Sequence, residues 1–468
     1  MPDLDYIFYP NSIAIVGLSR SPGSYVNHFY LNPLIRFGYK GDIYPIHPTA
    51  SELAGLKAYP SVLDVPGPID HVICAIKATS TPGLMKECVA KGVKTIHFFT
   101  SGFSESGEKE GIRLEKEITE IAHQGNIRVL GPNCMGLYCP GSGISYEPSF
   151  PRESGNVAFL CQSGGNSIQL VHIAGGRGIH FSKVVSYGNA SDLNESDFLE
   201  YFTHDPQTKI IVGYVEGTRQ GKRFISALRK AAMVKPVIMV KGGVTKAGTK
   251  AVASHTGALA GSSAIWESLF RQAGIIQVCD LEEIVDLTLL FQHLQPSKGR
   301  RIGIVGIGGG SSVLATDSCE RERLNIAEFA PELIEKLKEI VPTEVDPGTS
   351  VRNPADISAQ GWNPDTFSKA LETIANHNGI DFIITHVNVP LGPSADELIN
   401  QHIDSLIKTK QRLTKPIATV ALRSDIPEAI NNAIGIQEKC ARAGIPVFSS
   451  FDRAARAISR FIGYYEAR

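Results

Sequence analysis

Short runs of β-branched and other apolar residues alternate along this chain with longer stretches of helical periodicity. Such alternation is typical of parallel strands joined by crossover helices, because two consecutive parallel strands need a long connection between them. The pattern therefore predicts an α/β protein with three parallel-sheet units. The predicted strands are residues 12–16, 42–46, 71–76, 95–99, 128–130, 156–160, 181–185, 209–215, 236–240, 301–305, 381–387, 416–421 and 446–448.

Two connectors divide the 468 residues into three segments of the same class. Residues 140–155 are rich in Gly, Pro and Ser, and Gln295–Gly299 forms a second linker. Because globular domains hold about 150 residues each, a chain of this length should contain about three. We predict domains over residues 1–145, 150–295 and 299–468.

Composition excludes several classes of function. Hydrophobic residues make up 43% of the chain, charged residues 20%, and the formal net charge is −1. A balance so close to neutral argues against nucleic acid or a membrane surface as a partner, and no apolar run approaches the ~20 residues that span a bilayer. The eight cysteines form no Cys-x-x-Cys pair, which argues against a metal site or a disulfide framework. With an N-terminus unlike a secretory signal, these features predict a cytoplasmic protein.

One histidine stands among small residues, in the segment Ser254–Gly261 with the sequence SHTGALAG. The absence of large side chains leaves the imidazole of His255 approachable, and a neutral imidazole is a competent nucleophile near neutral pH. His255 is therefore a candidate for covalent phosphorylation. The alternative is a packed, chemically idle histidine in a Gly/Ala-rich loop that precedes a predicted helix at 262–273.

A second motif, Gln162-Ser163-Gly164-Gly165, lies between a predicted strand and a predicted helix. Free backbone N–H groups and the positive end of the helix dipole meet at such a helix start, and the two glycines remove side-chain obstruction. The motif predicts a site for an anion, specifically a phosphate. The alternative is an ordinary serine N-cap.

Two polar residues close the neighbouring predicted strands. Asn189 and Glu216 follow strands of the same segment as Ser163, and the carboxyl ends of parallel strands share the ligand-binding edge of a sheet. At that edge the carboxylate of Glu216 could accept a hydrogen bond from one nitrogen of His255 and make the other more nucleophilic. A solvated or helix-capping acid is the alternative. Lysines that could add positive charge near a phosphate, or simply be solvated, precede the histidine: Lys241, Lys246 and Lys250.

The first segment carries its own ligand-binding signals. The turn Gly17-Leu18-Ser19-Arg20 follows the first predicted strand, where a glycine lets a phosphorylated ligand approach the backbone. His47-Pro48-Thr49 follows the second strand, at a position that contacts ribose or phosphate in such folds. Asn133, in Gly131–Gly136, can donate and accept hydrogen bonds and so suits a carbonyl or an acyl phosphate. Tight turns and a proline-terminated strand without a ligand are the alternatives.

These motifs together resemble the α subunit of ADP-forming acyl-CoA (acetyl-CoA) synthetases, which are relatives of succinyl-CoA synthetase. The resemblance covers essentially the whole chain. It implies a Rossmann-like CoA-binding domain followed by two flavodoxin-like domains. The residues that carry it are Ser254–Gly261 with Leu269–Gly274, Tyr214–Gly217, Gln162–Gly165, Gly131–Cys134, Gly308–Gly310, Ala315–Asp317, Asn353–Asp356 and Gly444–Phe448.

The resemblance also implies roles for individual residues. His255 matches the phosphorylated position, and Glu216 matches the acid that supports it. The other matching residues are Ser163, Gly164 and Gly165 for phosphate, with Asn133 and Asn189 beside them, and Gly17, Leu18, Ser19, Arg20, His47, Pro48 and Thr49 for CoA. The family has a lysine in the turn that here reads His47-Pro48-Thr49, so one expected contact to a CoA phosphate is missing.

The expected function is that of the CoA-binding, phosphohistidine-carrying subunit of an acid–CoA ligase that forms a nucleoside diphosphate. Its cofactor would be CoA, and its small-molecule substrates acyl-CoA and phosphate. No segment resembles an ATP-grasp domain, so a separate ATP-grasp β subunit is expected to hold ATP or ADP and Mg in a hetero-oligomer. The alternative is a CoA- or acyl-CoA-binding sensor or scaffold without turnover. A nicotinamide-dependent dehydrogenase is a weaker option, because the glycine fingerprint after Val16 is incomplete.

Overall fold

The computed structural model describes residues 4–256, 262–341 and 349–468, with the backbone alone for residues 253–256. Two units follow from the contacts within the chain. The first comprises Met1–Gly175 and Ile179–Ile284, and the second comprises Gly176–Gly178 and Val285–Arg468. Parallel sheets form the framework of both units, which confirms the α/β fold. The three domain ranges expected from the sequence stay a prediction.

The first sheet has five parallel strands, and all five residues of its strand Ser12–Val16 are buried. Burial on both faces explains why this strand is a continuous apolar run rather than an alternating one. The observed strands agree with the predicted ones to within two residues. They are β1 (Ser12–Val16), β2 (Asp42–Ile46), β5 (His71–Cys74), β6 (Thr95–Phe98) and β7 (Arg128–Leu130), in the order β2-β1-β5-β6-β7; β3 (Glu52–Leu53) and β4 (Leu56–Lys57) form a separate hairpin.

The helices of this region begin and end where local chemistry requires. The helix Thr81–Lys91 has a proline in its first turn and ends at Gly92, whose φ of 74° is left-handed and whose N–H donates to the carbonyl of Cys88. A π-helical segment, Asn27–Leu31, leads directly into the second α-helix. The helices are α1 (Asp5–Phe8), α2 (Asn32–Phe37), α3 (Thr81–Lys91) and α4 (Lys109–Gln124).

The second sheet has six strands, five of them parallel. Its edge strand Gly136–Tyr138 runs antiparallel to the strand Phe181–Ser186 and comes from the chain before the Gly/Pro/Ser-rich connector. The sequence pattern did not predict this strand. The strands are β8 (Gly136–Tyr138), β9 (Val157–Cys161), β10 (Phe181–Ser186), β11 (Ile210–Val215), β12 (Val237–Lys241) and β13 (Ile276–Val278), in the order β13-β12-β11-β9-β10-β8.

The helices that follow these strands include one strongly capped example. Asn194 accepts a hydrogen bond from the N–H of Ser196, and Asp197 accepts one in return from the N–H of Asn194, which makes a capping box. The helices are α5 (Gly164–Gly175), α6 (Glu195–His204), α7 (Gly221–Val234), α8 (Lys246–Thr256), α9 (Ser263–Ala273) and α10 (Leu281–His293).

The third sheet belongs to the second unit, and its strand pairs are all parallel. A glycine turn follows its first strand: Gly308 has a φ of 113°, and its N–H donates to Asp356 Oδ1 at 2.9 Å. The strands are β14 (Arg301–Gly306), β15 (Asn325–Ile326), β16 (Ala355–Asp356), β17 (Phe382–Asn388), β18 (Ile417–Leu422) and β19 (Val447–Phe448). Their order is β15-β14-β17-β18-β19, with β16 paired to β14.

Within the described residues, six α-helices lie between or after the strands of this sheet. The last of them is capped by Ser450, whose hydroxyl accepts from the N–H of Arg453, and its buried face includes Ile458 and Phe461. No helix in the described part of the chain has the length and apolarity needed to cross a membrane. The helices are α11 (Gly309–Arg321), α12 (Pro331–Ile340), α13 (Pro364–Ala375), α14 (Ala395–Lys410), α15 (Pro427–Arg442) and α16 (Phe451–Glu466).

Candidate functional site

Adjacent strands of the second sheet end at one level. In the register of the sheet, Cys161 of β9 lies opposite Ser186 of β10 and Tyr214 of β11. The turns that carry Ser163, Asn189 and Glu216 follow these strand ends. The structure thus brings the three predicted residues to the same carboxyl edge, where α/β sheets bind ligands.

Glu216 is buried and held from two sides. The side-chain carbonyl of Gln162 accepts hydrogen bonds from the backbone N–H groups of Glu216, at 2.8 Å, and of Gly217, at 3.2 Å. The hydroxyl of Tyr214 donates to Glu216 Oε1 at 3.1 Å. Gln162 therefore ties the turn after β11 to the turn that begins α5, a role that the sequence analysis did not assign to it.

A buried lysine adjoins this acid. Lys241, the last residue of β12, donates from Nζ to the backbone carbonyls of Glu216, at 2.9 Å, and of Gly242. Its ammonium lies 5.1 Å from the ring centroid of Trp266 on α9, a cation–π geometry. Burial lowers the pKa of Lys241 to about 8, against the opposing effect of Glu216. Lys246 and Lys250, the other two lysines considered, are exposed on α8.

The start of α5 is open on one side. A Cβ on Gly165 would meet nothing within 4 Å, whereas one on Gly164 would lie 2.8 Å from Cγ of Met135. Ser163 caps the helix, since its Oγ accepts from the N–H of Asn166 at 3.4 Å. Ser163 therefore caps the helix without closing it. The side of the helix start at Gly165 stays open, and an anion can approach the backbone N–H groups there.

Asn133 and Asn189 come together beside this helix start. Asn133 Nδ2 lies 3.5 Å from Asn189 Oδ1, and the N–H of Asn189 donates to the carbonyl of Pro132 at 3.0 Å. The turn at Gly188 needs a glycine, because its φ is 53° and a Cβ would lie 2.3 Å from the carbonyl oxygens of Pro132 and Asn133. The two asparagines, 56 positions apart in the sequence, are thus fixed as neighbours.

Asn189 belongs to a polar cluster that the sequence did not indicate. We call it the Glu115 cluster, and its members are Ser104, Glu105, Glu115, Asn189 and Arg219. Asn189 Nδ2 donates to Glu115 Oε2 at 2.9 Å and to a carboxylate oxygen of Glu105. Ser104 and Arg219 donate to Glu115 at 2.6 and 3.2 Å. Helix α8 packs against the short helix Ser104–Ser106, so this cluster links the Asn189 turn to the helix that contains His255.

The structure corrects the predicted loop around His255. The backbone of His255 lies in the last turn of α8, a helix whose start is capped by Thr245, with Oγ1 accepting from the N–H of Gly248 at 3.0 Å. Small residues that suggested a loop are compatible with a helix, because Ala is the strongest helix former. The side chain of His255 and residues 257–261 lie outside the described residues.

The two turns predicted to contact CoA meet at the carboxyl edge of the first sheet. Gly17 has a φ of 106°, and a Cβ there would lie 2.5 Å from the carbonyl oxygen of Ala75, so only glycine fits. The side chain of Asn27 holds the turn by accepting from the N–H of Ser19 and donating to its carbonyl, at 3.0 and 2.8 Å. Leu18 is buried beneath the turn.

Arg20 joins this turn to the second one. Its Nη2 donates to the carbonyl and hydroxyl oxygens of Thr49, at 2.8 and 3.2 Å. His47 Nδ1 accepts from the backbone N–H groups of Thr49 and Ala50, which shapes the turn around Pro48. The turn His47-Pro48-Thr49 therefore has an exposed guanidinium beside it.

Comparisons with known proteins show which families this chain resembles. Residues 11–140 match the family described as a CoA binding domain, and residues 154–291 match the succinyl-CoA ligase like flavodoxin domain. The α subunit of acetate–CoA ligase (ADP-forming) II from Pyrococcus furiosus is 33% identical over 456 residues, which cover 97% of this chain and 96% of that protein. The chain belongs to the family of ADP-forming acyl-CoA synthetases. These matches confirm the expected CoA-binding domain and one flavodoxin-like domain after it.

Other members of the ADP-forming acyl-CoA synthetase family differ in length. The acetate–CoA ligase (ADP-forming) of Methanocaldococcus jannaschii is 42% identical over 358 residues, which are 76% of this chain but 49% of that protein. The chain thus spans about half the length of this relative and nearly all of the Pyrococcus α subunit. Acetyl-coenzyme A synthetase 1 of Ca. Korarchaeum cryptofilum, solved with phosphate and ADP, superimposes with a TM-score of 0.84 at 32% identity and covers 100% of this chain and 98% of that chain.

Proposed function

We propose that this chain is the CoA-binding, phosphohistidine-carrying subunit of an acid–CoA ligase that forms ADP in the direction of acyl-CoA synthesis. In the reverse direction it would convert acyl-CoA, phosphate and ADP into free acid, CoA and ATP. His255 is the proposed phosphoryl carrier, and Glu216 is the proposed acid that orients it.

The proposed sequence has three steps. A phosphate oxygen attacks the thioester carbon, the C–S bond breaks, and CoA leaves as an acyl phosphate forms. An imidazole nitrogen of His255 then attacks phosphorus, the bond to the acyl oxygen breaks, and the free carboxylate leaves. Finally an oxygen of the β-phosphate of ADP attacks the same phosphorus, and the P–N bond breaks to give ATP and a neutral imidazole.

The observation that supports this proposal is the junction at Gln162. The side chain of Gln162 accepts hydrogen bonds from the backbone of the buried Glu216 and of Gly217. Gln162 also lies in the turn that precedes α5, whose start is open at Gly165. Phosphoryl transfer depends mainly on alignment and on compensation of the charge on the phosphoryl oxygens. The helix start would compensate that charge, the acid fixed beside it would align His255, and Asn133 and Asn189 are the residues proposed to bind the acyl phosphate.

CoA would bind at the carboxyl edge of the first sheet. Its phosphates would approach the backbone at Gly17, Leu18 and Ser19, with Arg20 and the turn His47-Pro48-Thr49 beside them. The guanidinium of Arg20 at Thr49 can supply the positive charge that the missing lysine provides elsewhere in the family.

ADP or ATP, together with Mg, would bind on a separate ATP-grasp β subunit. Support comes from the similarity to a protein described as an α subunit, which this chain covers to 96% of its length. A hetero-oligomer and a cytoplasmic location complete this proposal.

The direct test is to label the purified chain with radioactive phosphate in the presence of each of a small panel of acyl-CoAs. Label on a histidine withstands alkali and is lost in acid. We expect His255→Asn to abolish the label and Glu216→Gln to slow it while the melting temperature stays near that of the parent. His123→Asn, at an exposed histidine on α4, is the matched control. Equal labelling of His255→Asn and the parent would refute the assignment.

The alternative function, a CoA- or acyl-CoA-binding sensor or scaffold without turnover, makes a different prediction in the same assay. Such a protein would bind acyl-CoA and take up no label. The contact between Arg20 and Thr49 weakens the case for it, because the guanidinium supplies a positive charge beside the turn that lacks the lysine.

A further inference from the structure

The side-chain amide of Asn189 has two carboxylates on one side. Asn189 is buried, and its Nδ2 lies within hydrogen-bond distance of a carboxylate oxygen of Glu105 and, at 2.9 Å, of Glu115 Oε2. An ionised carboxylate only accepts hydrogen bonds, so the NH₂ end of the amide must face the two acids. The reverse orientation would place the carbonyl oxygen of Asn189 against both carboxylates. The two acids therefore determine which way this amide points.

The carbonyl end of the same amide faces Asn133. Asn189 Oδ1 lies 3.5 Å from Asn133 Nδ2. The backbone of Asn133 is fixed separately, since its φ of 57° is a left-handed conformation that asparagine tolerates and its N–H donates to the carbonyl of Thr100 at 3.0 Å. Among the described residues, the side chain of Asn133 has no other hydrogen-bond partner. One of the two hydrogens on its Nδ2 is thus left for a ligand.

Glu115 connects most of the Glu115 cluster. It is buried on α4, and its Oε2 accepts from the hydroxyl of Ser104 at 2.6 Å as well as from Asn189. Its Oε1 accepts from Arg219 at 3.2 Å. With Glu105, it gives each hydrogen of the Asn189 amide an acceptor. A buried polar network whose members are satisfied holds its side chains in one arrangement, so Glu115 fixes the orientation of an amide that it does not share with the solvent.

We propose that Glu115 is a positioning residue for the acyl-phosphate step and that it acts through Asn189 on the amide of Asn133. This inference rests on the proposed function, in which the two asparagines bind the acyl phosphate, and it assigns the donor between them. The oxygens of an acyl phosphate are acceptors, so its partner must offer an N–H. The two acids take the N–H groups of Asn189, whereas Asn133 has one to donate. Asn189 would then hold the Asn133 amide in the donating orientation.

The test is labelling of the full-length chain on histidine by acetyl phosphate that carries radioactive phosphorus, a probe that delivers an acyl phosphate without CoA. Glu115→Leu removes the acceptor of Asn189. Because a hydrogen bond to a charged ligand contributes about tenfold or more in affinity, we expect the half-saturating concentration of acetyl phosphate to rise at least about tenfold, with a smaller change in the rate at saturation. Glu115→Gln should stay near the parent, because its side-chain carbonyl can still accept from Asn189. Glu117→Leu, at an acid of the same helix that pairs with Arg113, is the matched control.

A double-mutant cycle tests whether the effect passes through Asn133. Asn133→Gly removes the amide, and glycine adopts the left-handed backbone without strain. In that background Glu115→Leu should raise the half-saturating concentration no further, because the side chain that it positions is absent. Asn189→Ser interrupts the same chain of contacts at its middle and should reproduce the result of Glu115→Leu. It keeps the inference testable if Glu115→Leu fails to fold.

The outcomes separate this inference from the proposed function. Additive effects in the cycle, or a Glu115→Gln chain as impaired as Glu115→Leu, would overturn the inference alone. A smaller labelled fraction and weaker CoA binding in Glu115→Leu, with an unchanged half-saturating concentration, would show a merely structural role and would also overturn it. A parent that is labelled from acyl-CoA and phosphate but not from acetyl phosphate is compared with the same variants in that assay, at varied phosphate. No label on the parent from either source would overturn the proposed function and the inference with it.

Discussion

Gly164 and Gly165 are adjacent in sequence, yet the structure predicts opposite consequences for their substitution by alanine. Gly165 lies in the first turn of α5 without a positive φ, and a Cβ there meets nothing within 4 Å. Gly165→Ala should therefore raise the free energy of unfolding by about 0.4–1 kcal/mol, mainly because alanine reduces the freedom of the unfolded chain. For a unit of this size the melting temperature should rise by about 1–3 °C.

The same methyl group should reduce phosphorylation. It would occupy the open approach to the backbone N–H groups of α5, where we propose that phosphate binds. Loss of one preorganised donor to a developing anion commonly costs a factor of about 100 in rate, and partial obstruction should cost at least about tenfold. The initial rate of histidine labelling, measured at several phosphate concentrations, should show a raised requirement for phosphate.

Gly164→Ala is the matched control for this prediction. Its Cβ would push against Met135 Cγ at 2.8 Å, so overpacking should lower the free energy of unfolding by about 1–2 kcal/mol unless Met135 moves aside. A Gly165→Ala chain that is more stable and labels at the parent rate would refute the view that the open face of α5 binds phosphate.

Three further substitutions test the supporting contacts. Gln162→Leu removes the acceptor of two buried N–H groups, and it should cost about 2–4 kcal/mol in urea unfolding and slow labelling. The pKa of Lys241 is about 8 in the fold against 10.5 ordinarily, so the unfolded chain binds more protons between these pH values and stability should rise with pH across them. Lys241→Met should abolish that rise. The measurement is the urea midpoint of the parent and of the variant at both ends of this pH range, where only the parent's midpoint should increase. Asp286→Ala leaves Arg177 and Arg453 without their shared carboxylate and should cost about 3–5 kcal/mol in unfolding of the second unit; an unchanged midpoint would contradict this.

Most strands of the three sheets could be predicted because their signal is local. A run such as Ser12–Val16 is apolar throughout and buried throughout, so composition alone identifies it. Strand β8 could not be predicted in the same way, because it has three residues, begins with glycine and exists through its pairing with β10 almost fifty residues later. Helix α8 was missed because the Gly, Ala, Ser and Thr residues near His255 also suit a loop.

The candidate site was predictable to the extent that it lies at strand ends. Glu216 follows its strand directly, Ser163 and Asn189 follow theirs within three residues, and parallel strands place such residues at one edge. The residues that hold them were not predictable, because their contacts join distant parts of the sequence. Gln162 reaches a turn 54 residues away, and Glu115 reaches Asn189 across 74 residues. Neither distance leaves a periodic signal in the chain.

The antiparallel pairing of β8 with β10 determines how this protein can be dissected. A fragment that starts at the connector would lack Gly136–Tyr138 and would expose the outer N–H and C=O groups of Phe181–Ser186. An uncovered sheet edge recruits strands from other molecules and leads to aggregation. Recombinant fragments should therefore keep both sheets of the first unit in one polypeptide, even though a Gly/Pro/Ser-rich connector separates β8 from β9 in the sequence.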